Sequence, residues 1–276
     1  MNGDVDLGGI LRPVRTGNAF EETVERLLIV IKLGLVPRGD RFPPERELAA
    51  RLGISRLTLR EAIRELSQAG YVESRRGRFG GTFCVYTPPA PSVTEIARLA
   101  MRDGDRLADA LIFRYAVETG AADMLAQRFT EVGLPGQARG GEACPGPDCP
   151  GPDCPGPDCP GPDCPAENAP RAVLLRRLAD VSGATPADYR RLDTLFHLSI
   201  AELTGSRLLA EAAADARLRL NDLLNAIPVL KPNIAHAASQ HVAIVNAILA
   251  GDAEAARRAV AEHLAGTGAL LRGFLT

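Results

Sequence analysis

Between residues 18 and 86, three short amphipathic segments are followed by two β-forming segments. The first starts at Asn18, a suitable helix N-cap, and repeats apolar side chains at helical spacing. Pro44 and Ser55 stand at the starts of the second and third, where proline and serine favour helix initiation. The run YVESRRGRFGGTFCVY then has the composition of two strands joined by a basic turn that contains glycine. Three helices followed by a β-hairpin predict a winged helix.

A proline-rich connector, TPPAPS, separates this region from a second one with helical periodicity almost throughout. Helices are predicted near residues 93–102, 104–130, 170–182, 186–204, 206–227, 232–250 and 252–272. Short connections between them favour antiparallel packing. The expected fold is mainly α, with a winged helix-turn-helix of three helices and a β-hairpin wing joined to an all-α antiparallel bundle. The predicted parts are a flexible N-terminus (1–17), a winged domain (18–86), a linker (87–92) and a helical domain (93–272).

A low-complexity insert at residues 139–169 interrupts the helical domain. Its core repeats CPGPD four times from Cys144, and this tract holds five of the six cysteines of the chain. Proline and glycine at this density exclude helix and predict a flexible, exposed loop. Repeated cysteines could bind soft metal ions or sense oxidants. The C-x4-C spacing without histidine nevertheless favours the loop interpretation.

The distribution of charge points to a polyanionic partner. The net charge is only −2, yet seven arginines and three glutamates lie between Arg51 and Arg78. The first 20 residues lack the apolar core of a secretory signal, and Lys32 and Gly34 interrupt the longest apolar run. These observations predict a cytoplasmic protein without a membrane partner.

The third helix is suited to the major groove of DNA. Arg56 and Arg60 lie one turn apart on one face, where they can reach base edges or phosphates. Ser55 and Thr58 can donate to phosphate oxygens near the helix N-terminus. The alternative interpretation is a solvated helix face on which Glu61 and Glu65 pair with the arginines at i,i+4 or i,i+5 spacing.

The stretch FPPERELAARLGISRLTLREAIRELSQAGYVESRRGR resembles the winged helix-turn-helix of the GntR superfamily, over about residues 18–86. The resemblance implies DNA contacts from Arg46, Arg56, Thr58 and Arg60, and a wing tip in the minor groove formed by Arg76 and Gly77. Leu57 departs from the polar residue often found at its position. A homodimer and a palindromic operator are implied, because two symmetric recognition helices bind two half-sites.

Four polar side chains in the helical region are spaced to converge. Asp193 and His197 are four residues apart and share a helix face. His241 lies 10 residues before Gly251 and His263 lies 12 after it, so an antiparallel hairpin that turns there places them at similar heights. Three imidazoles and one carboxylate suit a divalent metal ion, with Zn²⁺ preferred over Ni²⁺, Mn²⁺ or Fe²⁺. His236 is five residues from His241 and is expected to point elsewhere.

The motifs LDTLFHLSIAELTG and HVAIVNAILAGDAEAARRAVAEHL resemble the effector domain of the FadR-like branch of that superfamily, the FCD domain. The four positions match the ligands of its metal-containing subgroup. Arg114 matches the arginine that binds an effector carboxylate. A structural ion pair of Arg114 with Glu118 or Asp123 is the alternative.

These patterns predict a transcription repressor, not an enzyme, whose DNA binding responds to a small carboxylate metabolite bound near the metal. One rival is a purely structural metal, and another is a metal-dependent hydrolase with Glu202 or Glu262 as its base. A third is a fatty-acyl sensor, but members of the branch that bind such ligands lack these histidines. The sequence names neither the metabolite nor the operator.

Overall fold

The computed structural model describes residues 19–78, 80–87, 93–131, 170–226 and 231–275. Within these ranges the chain forms nine helices and one two-stranded antiparallel sheet. The elements are α1 (Ala19–Lys32), α2 (Glu45–Leu52), α3 (Arg56–Gln68), β1 (Val72–Arg75), β2 (Gly81–Cys84), α4 (Val93–Glu131), α5 (Pro170–Ser182), α6 (Tyr189–Leu203), α7 (Arg207–Ala226), α8 (Lys231–Leu249) and α9 (Ala253–Leu275). The predicted flexible N-terminus, most of the linker and the cysteine-rich insert lie outside the described residues.

The first five elements form the winged helix that the sequence predicts. Helix α3 packs against α1, α2 and β1. Its apolar stripe is buried with those of the other two helices, and Leu27, Leu48 and Leu59 are each at most 2% exposed. Strands β1 and β2 pair in antiparallel register, with Val72 opposite Cys84. This core fixes the recognition helix and the wing as one unit.

One part of the winged helix was not predicted. The segment before α2 pairs with β2 through a bridge between Arg41 and Phe83. The amide of Phe42 donates to the carbonyl of Thr82 at 2.8 Å. This pairing covers one edge of the hairpin and ties it to the entry of α2.

In the helical region, α5 packs against α6 and α8. Helices α8 and α9 form the expected hairpin, which turns at Gly251 with a φ of 72°, where glycine carries no steric cost. The Asp252 carboxylate accepts a hydrogen bond from the amide of Ala255 at 2.9 Å and so caps α9. The hairpin therefore begins its second helix at a defined register.

The predicted break at Gly104 is wrong. Helix α4 continues through this residue from Val93 to Glu131. A single glycine inside a helix costs only about 1 kcal/mol relative to alanine, so a helix of this length can include one.

The described residues divide into two compact units. One comprises the described parts of Met1–Arg114, Ala210–Pro228 and Leu271–Thr276, and the other those of Tyr115–Leu209 and Val229–Leu270. Helices α4, α7 and α9 therefore contribute to both units.

No helix within the described ranges combines the length and the apolar character needed to cross a bilayer.

Candidate nucleic-acid interface and metal centre

The start of α3 is organised by its N-cap. The hydroxyl of Ser55 accepts a hydrogen bond from the amide of Thr58 at 3.0 Å, and the two hydroxyl oxygens lie 2.9 Å apart. Gly53 ends α2 with a φ of 64°, which lets the chain turn directly into this cap. The positive end of the α3 dipole and two hydroxyl groups are thus presented together, as phosphate binding requires.

Two of the predicted DNA-contacting arginines lie on the exposed face of α3. The side chains of Arg56 and Arg60 are 58% and 55% exposed. Both approach Glu45 on α2: Arg60 Nε donates to its Oε2 at 2.8 Å, and an Arg56 Nη lies 3.9 Å from the same oxygen. The partner is therefore Glu45, not the α3 glutamates weighed in the sequence analysis. Exposed pairs of this kind contribute little to stability, so DNA can compete for the arginines at small cost.

The remaining predicted positions are also at the surface. Arg46 is exposed on α2, and Arg76 and Gly77 are exposed in the turn between the strands. Gly77 has a φ of 105°, a conformation that disfavours any residue with a Cβ. The wing tip therefore depends on glycine at this position.

Arg75, at the end of β1, is fixed by contacts within the hairpin. Arg75 donates to Glu73 at 2.9 Å and lies 4.5 Å from the centre of the Phe83 ring. This hydrogen bond and the charge of Arg75 lower the pKa of the Glu73 carboxyl. Arg75 is thereby engaged within the hairpin, whereas Arg76 is exposed in the turn.

The four predicted metal ligands lie together. Asp193 and His197 project from α6, His241 from α8 and His263 from α9, and one donor atom from each lies within 4.8 Å of the others. The three histidines are at most 4% exposed, whereas the Asp193 side chain is 16% exposed. Asp193 is consequently the member that reaches toward solvent.

Two of the distances within the cluster equal those between ligand atoms around a shared cation, and a third is slightly longer. The Nε2 atoms of His197 and His263 are 3.1 Å apart. Asp193 Oδ1 lies 3.7 Å from His197 Nε2 and 3.3 Å from His241 Nε2. Zinc ligands bond at about 2.0–2.2 Å, which separates neighbouring donors by about 3–3.6 Å in tetrahedral or octahedral geometry.

Two further side chains fix the orientation of two imidazoles. Glu118 Oε2 on α4 lies 2.8 Å from His197 Nδ1, and Gln240 Oε1 on α8 lies 3.0 Å from His263 Nδ1. Carboxylate and amide oxygens only accept, so these two contacts favour the tautomer in which Nδ1 carries the proton and Nε2 has the lone pair. The Nε2 atoms lie near one another and near the Asp193 carboxylate, where a cation would bind them together.

His241 provides a separate test of the fit. It is 0% exposed, and neither of its ring nitrogens makes a hydrogen bond. Leaving a buried polar group unsatisfied costs about 1–3 kcal/mol. Coordination of a metal ion would give one of the two ring nitrogens, Nε2, a partner. The donor set therefore fits a divalent metal ion.

The roles of Glu118 and Gln240 were not predicted from the sequence. Glu118 was considered only as an ion-pair partner of Arg114, although a carboxylate on a mostly apolar helix signals a buried polar contact. Gln240 carries no signal beyond its position next to His241. Their contacts arise from packing between helices, which spacing along one helix does not reveal.

Other predicted residues lie outside the cluster. Arg114 is buried on α4 at 3% exposure, within the unit that contains the winged helix. His236 is exposed on α8, as expected for a residue that faces elsewhere. Among the described residues, the donor cluster includes neither Glu202 nor Glu262, the candidate bases of a hydrolase.

A positive group lies close to the cluster. Arg190, three residues before Asp193 on α6, is half-buried. Burial lowers the pKa of its guanidinium, while the charge of Asp193 acts to raise it. A guanidinium in this position adds attraction for an anion near the Asp193 side of the cluster.

Comparison with known proteins gives two domain matches. Residues 20–83 match the family described as bacterial regulatory proteins, gntR family. Residues 166–266 match the FCD domain. These ranges fall inside the winged region and the helical region.

Individual relatives are regulators. The chain is 29% identical over 252 residues to a protein of Escherichia coli (strain K12) provisionally named an L-lactate dehydrogenase operon regulatory protein, covering 88% of this chain and 83% of that protein. It is 43% identical over 67 residues to the HTH-type transcriptional regulator Mce2R of Mycobacterium tuberculosis, 24% of this chain and 28% of that protein. Among solved structures, E. coli McbR/YncC matches at 18% identity with a TM-score of 0.45, covering 94% of this chain and 99% of that one.

The relatives are named as transcriptional regulators, in agreement with the expectation that the chain is not an enzyme. The two domain matches follow one another in the order that the sequence analysis expected. The chain therefore belongs to the gntR family of bacterial regulatory proteins, as a DNA-binding transcription regulator that joins a GntR helix-turn-helix domain to an FCD domain.

Proposed function

We propose that this regulator is a cytoplasmic repressor that binds a palindromic operator as a homodimer and releases it when a small carboxylate metabolite binds near a divalent metal ion. The DNA-binding domain is assigned to residues 18–86 and the effector domain to residues 93–272. The DNA contacts are assigned to Arg46, Ser55, Arg56, Thr58, Arg60, Arg76 and Gly77. The metal ligands are Asp193, His197, His241 and His263, and Arg114 is assigned to the effector carboxylate.

The observation that carries the metal assignment is the convergence of three Nε2 atoms on a carboxylate. The Nδ1 atoms of His197 and His263 lie close to oxygens of Glu118 and Gln240, which can accept their protons and leave Nε2 as the ligand atom. Three imidazoles and one carboxylate favour Zn²⁺, and Ni²⁺, Mn²⁺ and Fe²⁺ also accept this set. A bound metal ion supplies a positive centre that attracts a carboxylate ligand.

The charge around the cluster supports an anionic effector. The Asp193 side chain, which is the most exposed of the four ligands, marks the accessible side. Arg190 lies three residues earlier on the same helix and adds positive charge there. A 2-hydroxy acid offers a carboxylate for these groups and a hydroxyl as a second donor.

The experiment is an operator gel shift with the full-length protein and the DNA upstream of its own gene. L-lactate is the first acid to test, because one relative is named for an L-lactate dehydrogenase operon. Allosteric coupling of about 1–3 kcal/mol corresponds to a 5- to 150-fold loss of operator affinity. We expect this loss with the metal bound and not after chelation, with propionate as the control that lacks the hydroxyl. Metal-dependent hydrolysis of an added ester or amide would contradict the proposal in favour of the hydrolase.

A structural metal is the second candidate, and the burial of all three histidines favours it. Structural zinc sites are closed, whereas ligand-binding sites keep an open position. Under this alternative, chelation lowers the melting temperature while a panel of small carboxylic acids leaves operator affinity unchanged. The same gel shift and a thermal melt therefore distinguish the two candidates.

Leu57 gives a prediction about operator sequence. It is 67% exposed on α3, between Arg56 and Thr58. Large apolar side chains at this place in a recognition helix can contact the 5-methyl group of thymine. We expect one thymine-to-uracil change in the operator to weaken binding about 4-fold, the value of one buried methyl group at about 0.8 kcal/mol.

The control for this prediction is a double-mutant cycle. The Leu57→Ala protein should bind the thymine and uracil operators equally. Leu208→Ala removes an equally exposed leucine from α7 and should retain the 4-fold difference. If Leu57→Ala also retains the difference at every thymine, Leu57 does not contact a methyl group.

A further inference from the structure

Two of the histidines in the metal cluster have Nδ1 atoms in close contact with oxygen atoms of chemically different side chains. His197 Nδ1 lies 2.8 Å from the Glu118 carboxylate, and His263 Nδ1 lies 3.0 Å from the Gln240 amide oxygen. Both acceptors fix a tautomer, but only the carboxylate adds negative charge. The cluster therefore has one imidazole, of His197, beside a charged side chain and another, of His263, beside a neutral one.

We propose that Glu118 is a positioning residue of the metal centre and that its carboxylate raises the affinity for a divalent cation beyond what the hydrogen bond supplies. This inference rests on the metal centre of the proposed function. Histidine ligands whose second nitrogen donates to a carboxylate are more basic and are held in one orientation.

Burial makes the charge of Glu118 effective. The residue is 4% exposed, and its contact with His197 lies in a part of the unit from which water is excluded. Charge interactions there are weakened less than at the surface. Asp193 supplies one negative charge within the donor set and Glu118 a second through His197, so together they balance a divalent cation.

The position of Glu118 in the fold has a second consequence. The four donor residues lie on α6, α8 and α9, whereas Glu118 lies on α4. Helix α4 is the first helix described after the winged region. Its contact with His197 makes the orientation of a metal ligand depend on where α4 lies within this unit.

The test compares three variants of the full-length, metal-stripped protein by titration with Zn²⁺ against a chelating indicator. Glu118→Gln keeps an acceptor of the kind that Gln240 offers to His263, but removes the charge, and should bind Zn²⁺ about 10-fold more weakly. Glu118→Leu removes both and should bind about 100-fold more weakly. Gln240→Glu adds a carboxylate at the equivalent position and should bind more tightly than the unaltered protein.

Two further measurements exclude a merely structural role. The visible spectrum of the Co²⁺-loaded protein should change in Glu118→Gln, since the ligand strength of His197 changes. The melting temperature of the metal-free form should stay within a few degrees in the same variant. If Glu118→Leu fails to fold, the comparison of Glu118→Gln with Gln240→Glu still decides the question.

The outcomes separate this inference from the metal assignment. If the unaltered protein does not bind Zn²⁺, the metal assignment itself fails. If it binds Zn²⁺ while Glu118→Gln binds equally well and gives the same Co²⁺ spectrum, only the role of Glu118 is overturned. Weaker binding by Glu118→Gln together with tighter binding by Gln240→Glu supports it.

Discussion

Replacing His241 with leucine should weaken Zn²⁺ binding about 100-fold without destabilising the metal-free protein. Structural zinc sites bind with about 10–16 kcal/mol in total, so losing one of four ligands costs about 3 kcal/mol, or about 100-fold in affinity. The metal-free protein should behave differently. In that form the buried ring nitrogens of His241 make no hydrogen bonds, which destabilises the fold. An apolar side chain of similar size removes this destabilisation.

The measurement is the melting temperature with and without Zn²⁺. The unaltered protein should gain stability from Zn²⁺ by mass action, whereas the gain in His241→Leu should be smaller by about 2.7 kcal/mol at the same saturating Zn²⁺ concentration. Its melting temperature in chelator should be unchanged or higher. His236→Leu is the matched control, because His236 is exposed on the same helix. An undiminished Zn²⁺ response in His241→Leu, equal to that of the unaltered protein and of His236→Leu, would contradict the ligand assignment.

The winged helix was predictable because its signals are local. Ser55 caps α3 through an atom three residues away, and Gly53 ends α2 with a left-handed φ. Such interactions need no knowledge of tertiary packing. The pairing of Arg41 with Phe83 joins distant segments and left no periodic pattern, so it was missed.

The convergence of the metal ligands was predictable for a different reason. Asp193 and His197 share a face because of helix geometry, and Gly251 sets the register that brings His241 and His263 to one height. The contacts of Glu118 and Gln240 depend on how whole helices pack. The metal ion and its effector remain predictions.

The boundaries of compact units could not be predicted from the connector alone. Proline-rich sequence at residues 87–92 suggested a clean division, yet α4 and α7 each contribute to both compact units. A continuous helix has no helix-breaking residue at the place where its packing partners change. Glycine and proline mark the ends of helices and strands, whereas the limits of a compact unit depend on which surfaces those elements bury.

Replacing Arg60 with alanine should weaken operator binding by about 1–3 kcal/mol, a 5- to 150-fold loss. The change can be measured by fluorescence anisotropy at several salt concentrations. Arg258→Ala is the control for net charge, since Arg258 is 61% exposed on α9 and pairs only locally with Glu254. It should leave operator affinity nearly unchanged. Equal losses in the two variants would show that Arg60 acts through overall charge and not through a contact.

We predict that Arg60 contacts a base and not a phosphate. Its Nε donates to Glu45 at 2.8 Å, so a DNA contact made with this bond intact would use the two Nη groups. A guanine presents two acceptors that match this pair of donors. Arg60→Lys should therefore restore the salt dependence of binding but not the preference for the operator, because an ammonium group is not bidentate. Full recovery of that preference by lysine would assign Arg60 to phosphate instead.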